Sequence, residues 1–149
     1  MKKIFSLILV STISLVFVGC TKEITTDKNI GQIQFDGIYQ CTTVHHSKST
    51  GKLYSHFIRF YEDNTLIVTP SEDNVAKIFD WFKREDIDIP RSEYSTKNNT
   101  ITFSVAHSAG NVDYDGVFQE DLLSLEIYSH INENKSSETY KFLNNININ

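Results

Sequence analysis

Histidine is the side chain best matched to proton or metal chemistry near neutral pH, and this chain has five of them. His45 and His46 are adjacent, while His56, His107 and His130 stand singly near the ends of short apolar runs. Imidazoles reach one face of a strand or helix at spacings of two or four residues, and neither spacing occurs here. Neighbours such as His45 and His46 point to opposite faces of an extended chain. The pattern therefore predicts solvated loop and edge histidines and no metal site. Asp113 and Asp115 are two apart, so a strand would place both carboxylates on one face. That arrangement suits acid–base work or calcium, but it also describes an ordinary solvated strand face, which is the reading adopted. The serines have no Gly-x-Ser-x-Gly setting, and no glycine-rich phosphate loop is present. No enzyme and no cofactor are expected.

Cysteine adds little chemistry. The two cysteines are Cys20 and Cys41. Cys41 falls within an apolar, β-rich run and is expected to be a buried thiol without a disulfide partner.

The elements that must position these residues begin after a distinct leader. Lys2 and Lys3 precede an apolar run from Ile4 to Val18, interrupted only by Ser and Thr, and Phe17-Val18-Gly19-Cys20 closes it. The run is 15 residues long, whereas a membrane span needs roughly 18 to 20. A positive start, a short apolar core and a small residue at the end are the marks of a secretion signal. The ending resembles the lipobox of bacterial lipoproteins, with Phe17 at a position where that family usually has Leu. The resemblance implies cleavage before Cys20, lipid on the Cys20 sulfur and export to the periplasm or the cell surface. A lipidated Cys20 would leave Cys41 unpaired.

Cleavage there would leave residues 20–149, a single-domain length. Loss of Lys2 and Lys3 takes the 14 basic residues to 12 against 19 acidic, a net charge of −7. Such a chain has no electrostatic footprint for nucleic acid. It also has no basic patch for anionic lipid, so attachment to the membrane would rest on the acyl chains at Cys20.

Residues 21–34 are polar and aperiodic and read as a tether, of which 30–34 could join the first strand. From Phe35 short β-rich runs alternate with turn residues: 35–44, 53–61, 65–69, 92–97, 100–107, 112–119, 122–130 and 137–143. Gly37 marks a bulge or a close backbone approach. In the second run Tyr54, His56, Ile58 and Phe60 share one face, and Phe57, Arg59 and Tyr61 the other, so both faces carry aromatics. Ile101, Phe103 and Val105 share a face, as do Leu123, Leu125 and Ile127, and also Tyr140 and Phe142. Between the third and fourth strands Val75, Ile78, Phe79 and Phe82 form one helical stripe. This predicts a helix over about 72–84, N-capped by Ser71, with Lys83 and Arg84 at its negative end. Trp81 lies off the stripe. Residues 144–149 read as a polar tail.

Eight short strands with short connections favour sequential antiparallel pairing, and eight are about enough to close a barrel. Gly37-Ile38-Tyr39, the Phe57–Val68 hairpin, Tyr114-Asp115-Gly116 and Tyr140-Lys141-Phe142 resemble the lipocalin-like barrels of small bacterial lipoproteins. Lipocalins carry Gly-x-Trp where this chain has Tyr39, and their helix usually follows the barrel. The fold expected is mainly β, a lipocalin-like barrel or a flattened sandwich with one helix over residues 35–143. Two functions follow. One is a non-catalytic module that touches another envelope protein. The other is a carrier or sensor holding a small apolar or amphipathic ligand inside the barrel, with the helix as a lid. Tyr39, Tyr54, Phe57, Phe60, Phe103 and Tyr114 are the candidate lining residues, and Trp81 is a candidate contact residue.

Overall fold

The computed structural model describes residues 31–82 and 90–144. The leader, Cys20 and most of the tether lie outside them, as do Lys83, Arg84 and the last five residues of the tail. Among the described residues nine strands and one helix follow in order: β1 (Gly37–Cys41), β2 (His45–His46), β3 (Leu53–Phe60), β4 (Thr65–Ser71), α1 (Val75–Phe82), β5 (Ser92–Lys97), β6 (Thr100–His107), β7 (Gly110–Gln119), β8 (Leu122–Ser129) and β9 (Asn134–Asn144).

Sequential antiparallel pairing runs from β3 round to β9, and β1 closes the ring because both of its edges are paired. One edge meets β9, with Tyr39 opposite Phe142 and Cys41 opposite Tyr140; the other meets β3, with Tyr39 opposite Ile58. The result is a closed eight-stranded antiparallel barrel with one helix, a lipocalin-like architecture and not a flattened sandwich. Closure leaves none of the eight strands as a free edge along its whole length. Asn64, Asn98, Glu120 and Glu133 take positive φ at hairpin turns, the conformation that such tight reversals demand. Gly37 is a close approach: a Cβ there would collide with the Leu143 carbonyl oxygen and the Phe142 ring of β9.

Alternation sorts the side chains into two cores. Inside the barrel lie Tyr39, Ile58, Phe60, Leu66, Ile101, Phe103, Tyr114, Phe118, Leu123, Leu125 and Tyr140, all buried. Edge-to-face contacts knit them together: Phe60 meets Tyr39 at 5.4 Å, Tyr94 at 5.3 Å and Phe118 at 6.1 Å. Phe103 and Tyr114 stack at 4.5 Å. The interior is occupied by the protein's own rings.

The second core is outside. Ile78, Phe79 and Phe82 of α1 pack on Ile38, Phe57 and Ile67, the outward residues of β1, β3 and β4. Two of the expectations fail here. The helix lies on the barrel wall and not over an opening, so it is no lid. Phe57 points away from the interior and lines nothing within it. Both follow from the apolar outer face of β3, which needed a cover. Trp81 sits half-buried at the margin of this seat, its ring against Phe82 at 4.8 Å. The start of the helix also differs. Ser71 stays in β4 opposite Ser55, and Asn74 takes the cap, its Oδ1 accepting the Lys77 amide at 3.1 Å.

Candidate functional site

The polar residues of the interior gather at one end. On β9 the inward alternation of Phe142 and Tyr140 continues to Glu138, which therefore enters the barrel near its mouth. Cys41, at the end of β1, faces the same space from the neighbouring strand. Continuing the β1–β3 register by one residue sets Cys41 against His56.

His45 arrives by a local irregularity. In β1–β3 the register pairs Gln40 with Phe57, but in β2–β3 it pairs His45 with Tyr54. The chain has therefore gained two residues on β3 between Cys41 and His45, a bulge at residues 42–44. Ser55 Oγ braces it by donating to the Cys41 carbonyl at 3.1 Å. Without the slip His45 would stand opposite residue 52, above the barrel. With it, the imidazole drops to the level of Glu138, the kind of re-aiming for which bulges serve.

Four side chains from β1, β2, β3 and β9 thus converge. Glu138 Oε1 lies 3.2 Å from His45 Nε2. Its Oε2 lies 3.3 Å from His56 Nδ1 and accepts the Tyr140 hydroxyl at 2.6 Å. Because a carboxylate only accepts, His56 must carry its proton on Nδ1 when that bond forms. The two imidazoles pack at 4.8 Å between centroids, and Tyr54 stacks on His45 at 5.3 Å. Cys41 Sγ, a ring nitrogen of His45 and a carboxylate oxygen of Glu138 lie within 4.8 Å of one another. His45 Nε2 is buried and, despite its closeness to Oε1, makes no hydrogen bond.

Electrostatics follow from this packing. Burial alone would raise the Glu138 pKa. The hydrogen bonds from His56 and Tyr140 and the charges of His56 and His45 outweigh it and bring the carboxyl down to about 2. Burial pushes the Cys41 thiol up to about 11, with the nearby Glu138 charge acting in the same direction. Tyr114 rises to about 12, chiefly by burial, and Tyr140 rises too, by burial and by the Glu138 charge that it donates to.

Outside this cluster a cleft of about 710 Å³ opens at the rim, lined by Tyr54, His56, His46, Pro70 and Glu72 together with the loop after β2. Lys52 and Thr50 tie that loop to the Glu72 carboxylate at 3.0 and 2.8 Å. His56 is shared: one side faces the cleft and the other holds Glu138.

Of the candidate residues, Tyr39, Phe60, Phe103 and Tyr114 meet in the interior, Tyr54 stands at the mouth, and Phe57 and Trp81 belong to the helix seat. The reading of all five histidines as solvated needs correction for His45 and His56, which are partly buried against Glu138. His130 does lie at the surface, its Nε2 2.6 Å from Asp113. Glu138 and Tyr140 were missing as site residues, although their spacing of two, carried back from Phe142, places both inside.

No protein-family model, curated protein or solved structure matches this chain.

Proposed function

We propose that the chain is an exported lipoprotein, held to a bacterial membrane by lipid on Cys20, whose barrel is a non-catalytic interaction module of the cell envelope. The observation that carries this reading is the filled interior. Tyr39, Phe60, Phe103, Tyr114, Phe118 and Tyr140 occupy the space an apolar ligand would need. What remains for contact is the outside of the barrel and its polar mouth. Support for the anchor comes from Lys2, Lys3, the apolar run and Gly19-Cys20. Replacing Cys20 by Ala should move the protein out of the detergent phase in a partition assay. Retention there would mean an uncleaved leader holds the chain.

A sensor of a small ligand is the second reading, favoured by the rim cleft beside Tyr54 and His56. Its ligand would be a polar molecule held at the mouth, not an apolar one along the barrel axis. Native mass spectrometry of the full protein from its host separates the two. An organic mass that leaves on denaturation selects the sensor, and its absence selects the interaction module.

A further inference from the structure

The geometry points to a divalent transition-metal site of the zinc class at the barrel mouth, with Cys41 Sγ, His45 Nε2 and Glu138 Oε1 as its protein ligands. Thiolate, imidazole and carboxylate are the ligand types that zinc takes, and three of them leave a fourth position for water. In a tetrahedral site with bonds of about 2.0–2.3 Å, ligand atoms lie about 3.3–3.8 Å apart. Cys41 Sγ, a ring nitrogen of His45 and a carboxylate oxygen of Glu138 lie within 4.8 Å of one another, and His45 Nε2 and Glu138 Oε1 are 3.2 Å apart. Small side-chain rotations complete the set.

Two features distinguish this cluster from a simple ion pair. His45 Nε2 is a buried nitrogen without a hydrogen bond, a costly state that a metal ion bound to the neutral ring would relieve. The Glu138 carboxylate is also divided in its duties. Tyr140 and His56 hold Oε2, which fixes the plane of the group and leaves Oε1 turned toward His45. Hydrogen-bonded orientation of a ligating carboxylate is how metal sites are supported from behind. Cys41 would ligate as the thiolate, so its proton passes to solvent as the metal binds.

The test uses the full lipidated chain, reduced and stripped of metal, with cobalt(II) as a spectroscopic probe and zinc as its competitor. One cobalt per chain should bind with a thiolate-to-cobalt charge-transfer band, and zinc should bleach it. Cys41→Ser should abolish the band. His45→Gln should weaken cobalt binding by about tenfold or more, while the surface change His107→Ala leaves it unaltered. Absence of stoichiometric uptake by the folded wild-type protein would overturn the proposal. So would a charge-transfer band that survives in Cys41→Ser, or unchanged affinity in His45→Gln.

Discussion

At the base of the barrel the chain crosses its own opening before entering β1, whereas at the mouth the walls end in polar side chains that face one another. In the crossing, Ile33 packs on the interior core, and Gly31 lies so close to β7 that a Cβ would sit 2.8 Å from the Gln119 nitrogen. The Gln34 amide donates to the Tyr39 hydroxyl at 3.1 Å. At the other end, half-buried Val68, Val105, Val112 and Ile127 pack on the interior core, and His45, Tyr54, His56 and Glu138 meet one another. One end is closed by the chain itself, and the other carries the polar cluster. A closed base lets the interior be packed with rings, and that packing is a rigid floor for the cluster above it.

The largest expected effect is on that floor. Phe60 is 1 % exposed and touches Tyr39, Tyr94, Phe103 and Phe118, so Phe60→Ala removes the ring at the centre of the stack. A loss of about 3–5 kcal/mol is expected in urea unfolding. A loss under about 1 kcal/mol would mean that the interior is loosely filled, and it would reopen the barrel to an apolar ligand.

The mouth should reveal itself through pH. Glu138 has a folded pKa of about 2 against an ordinary value of 4.5. Its contribution is thus fully present above 4.5 and is lost as pH falls from there to 2. The bare shift corresponds to about 3 kcal/mol, which partial exposure of the mouth screens to about 1–2 kcal/mol. Glu138→Gln keeps an acceptor for Tyr140 and removes the charge. The stability advantage of wild type over this variant should therefore vanish across that interval, and parallel profiles would show that the mouth does not hold Glu138 ionised.

The same contrast explains what was legible in the sequence. Strand alternation and hairpin turns are local, so the inward sets Ile101–Val105, Leu123–Ile127 and Tyr140–Phe142 could be read directly. The helical stripe was equally local, although the cap moved from Ser71 to Asn74 because β4 runs on to pair with β3. Closure was not local. It depends on β1 finding β9, a pairing of Gly37 with Asn144 that no spacing announces. The mouth cluster inherits that difficulty: Cys41, His45, His56 and Glu138 come from four strands, and searching for histidines two or four apart looks only along one. The bulge at residues 42–44 hid His45 further, since only the slipped register lowers it into the site.

The smallest expected effect belongs to the base and asks what holds the crossing in place. Tyr39→Phe keeps the ring against Phe60 and Phe142 and removes only the hydroxyl that accepts the Gln34 amide. Global stability should fall by about 0.5–1.5 kcal/mol, the usual net value of one hydrogen bond. Amide exchange is the sharper readout, because the two ways of closing the base predict different patterns. If the hydrogen bond is the latch, exchange at Gln34 should accelerate well beyond the global change, with its neighbours following as the crossing lifts. If Ile33 and the tight seat of Gly31 hold the segment, Gln34 should exchange no faster than global unfolding allows. In that case the base is closed by shape and apolar contact alone, and polar chemistry in this barrel is confined to the mouth.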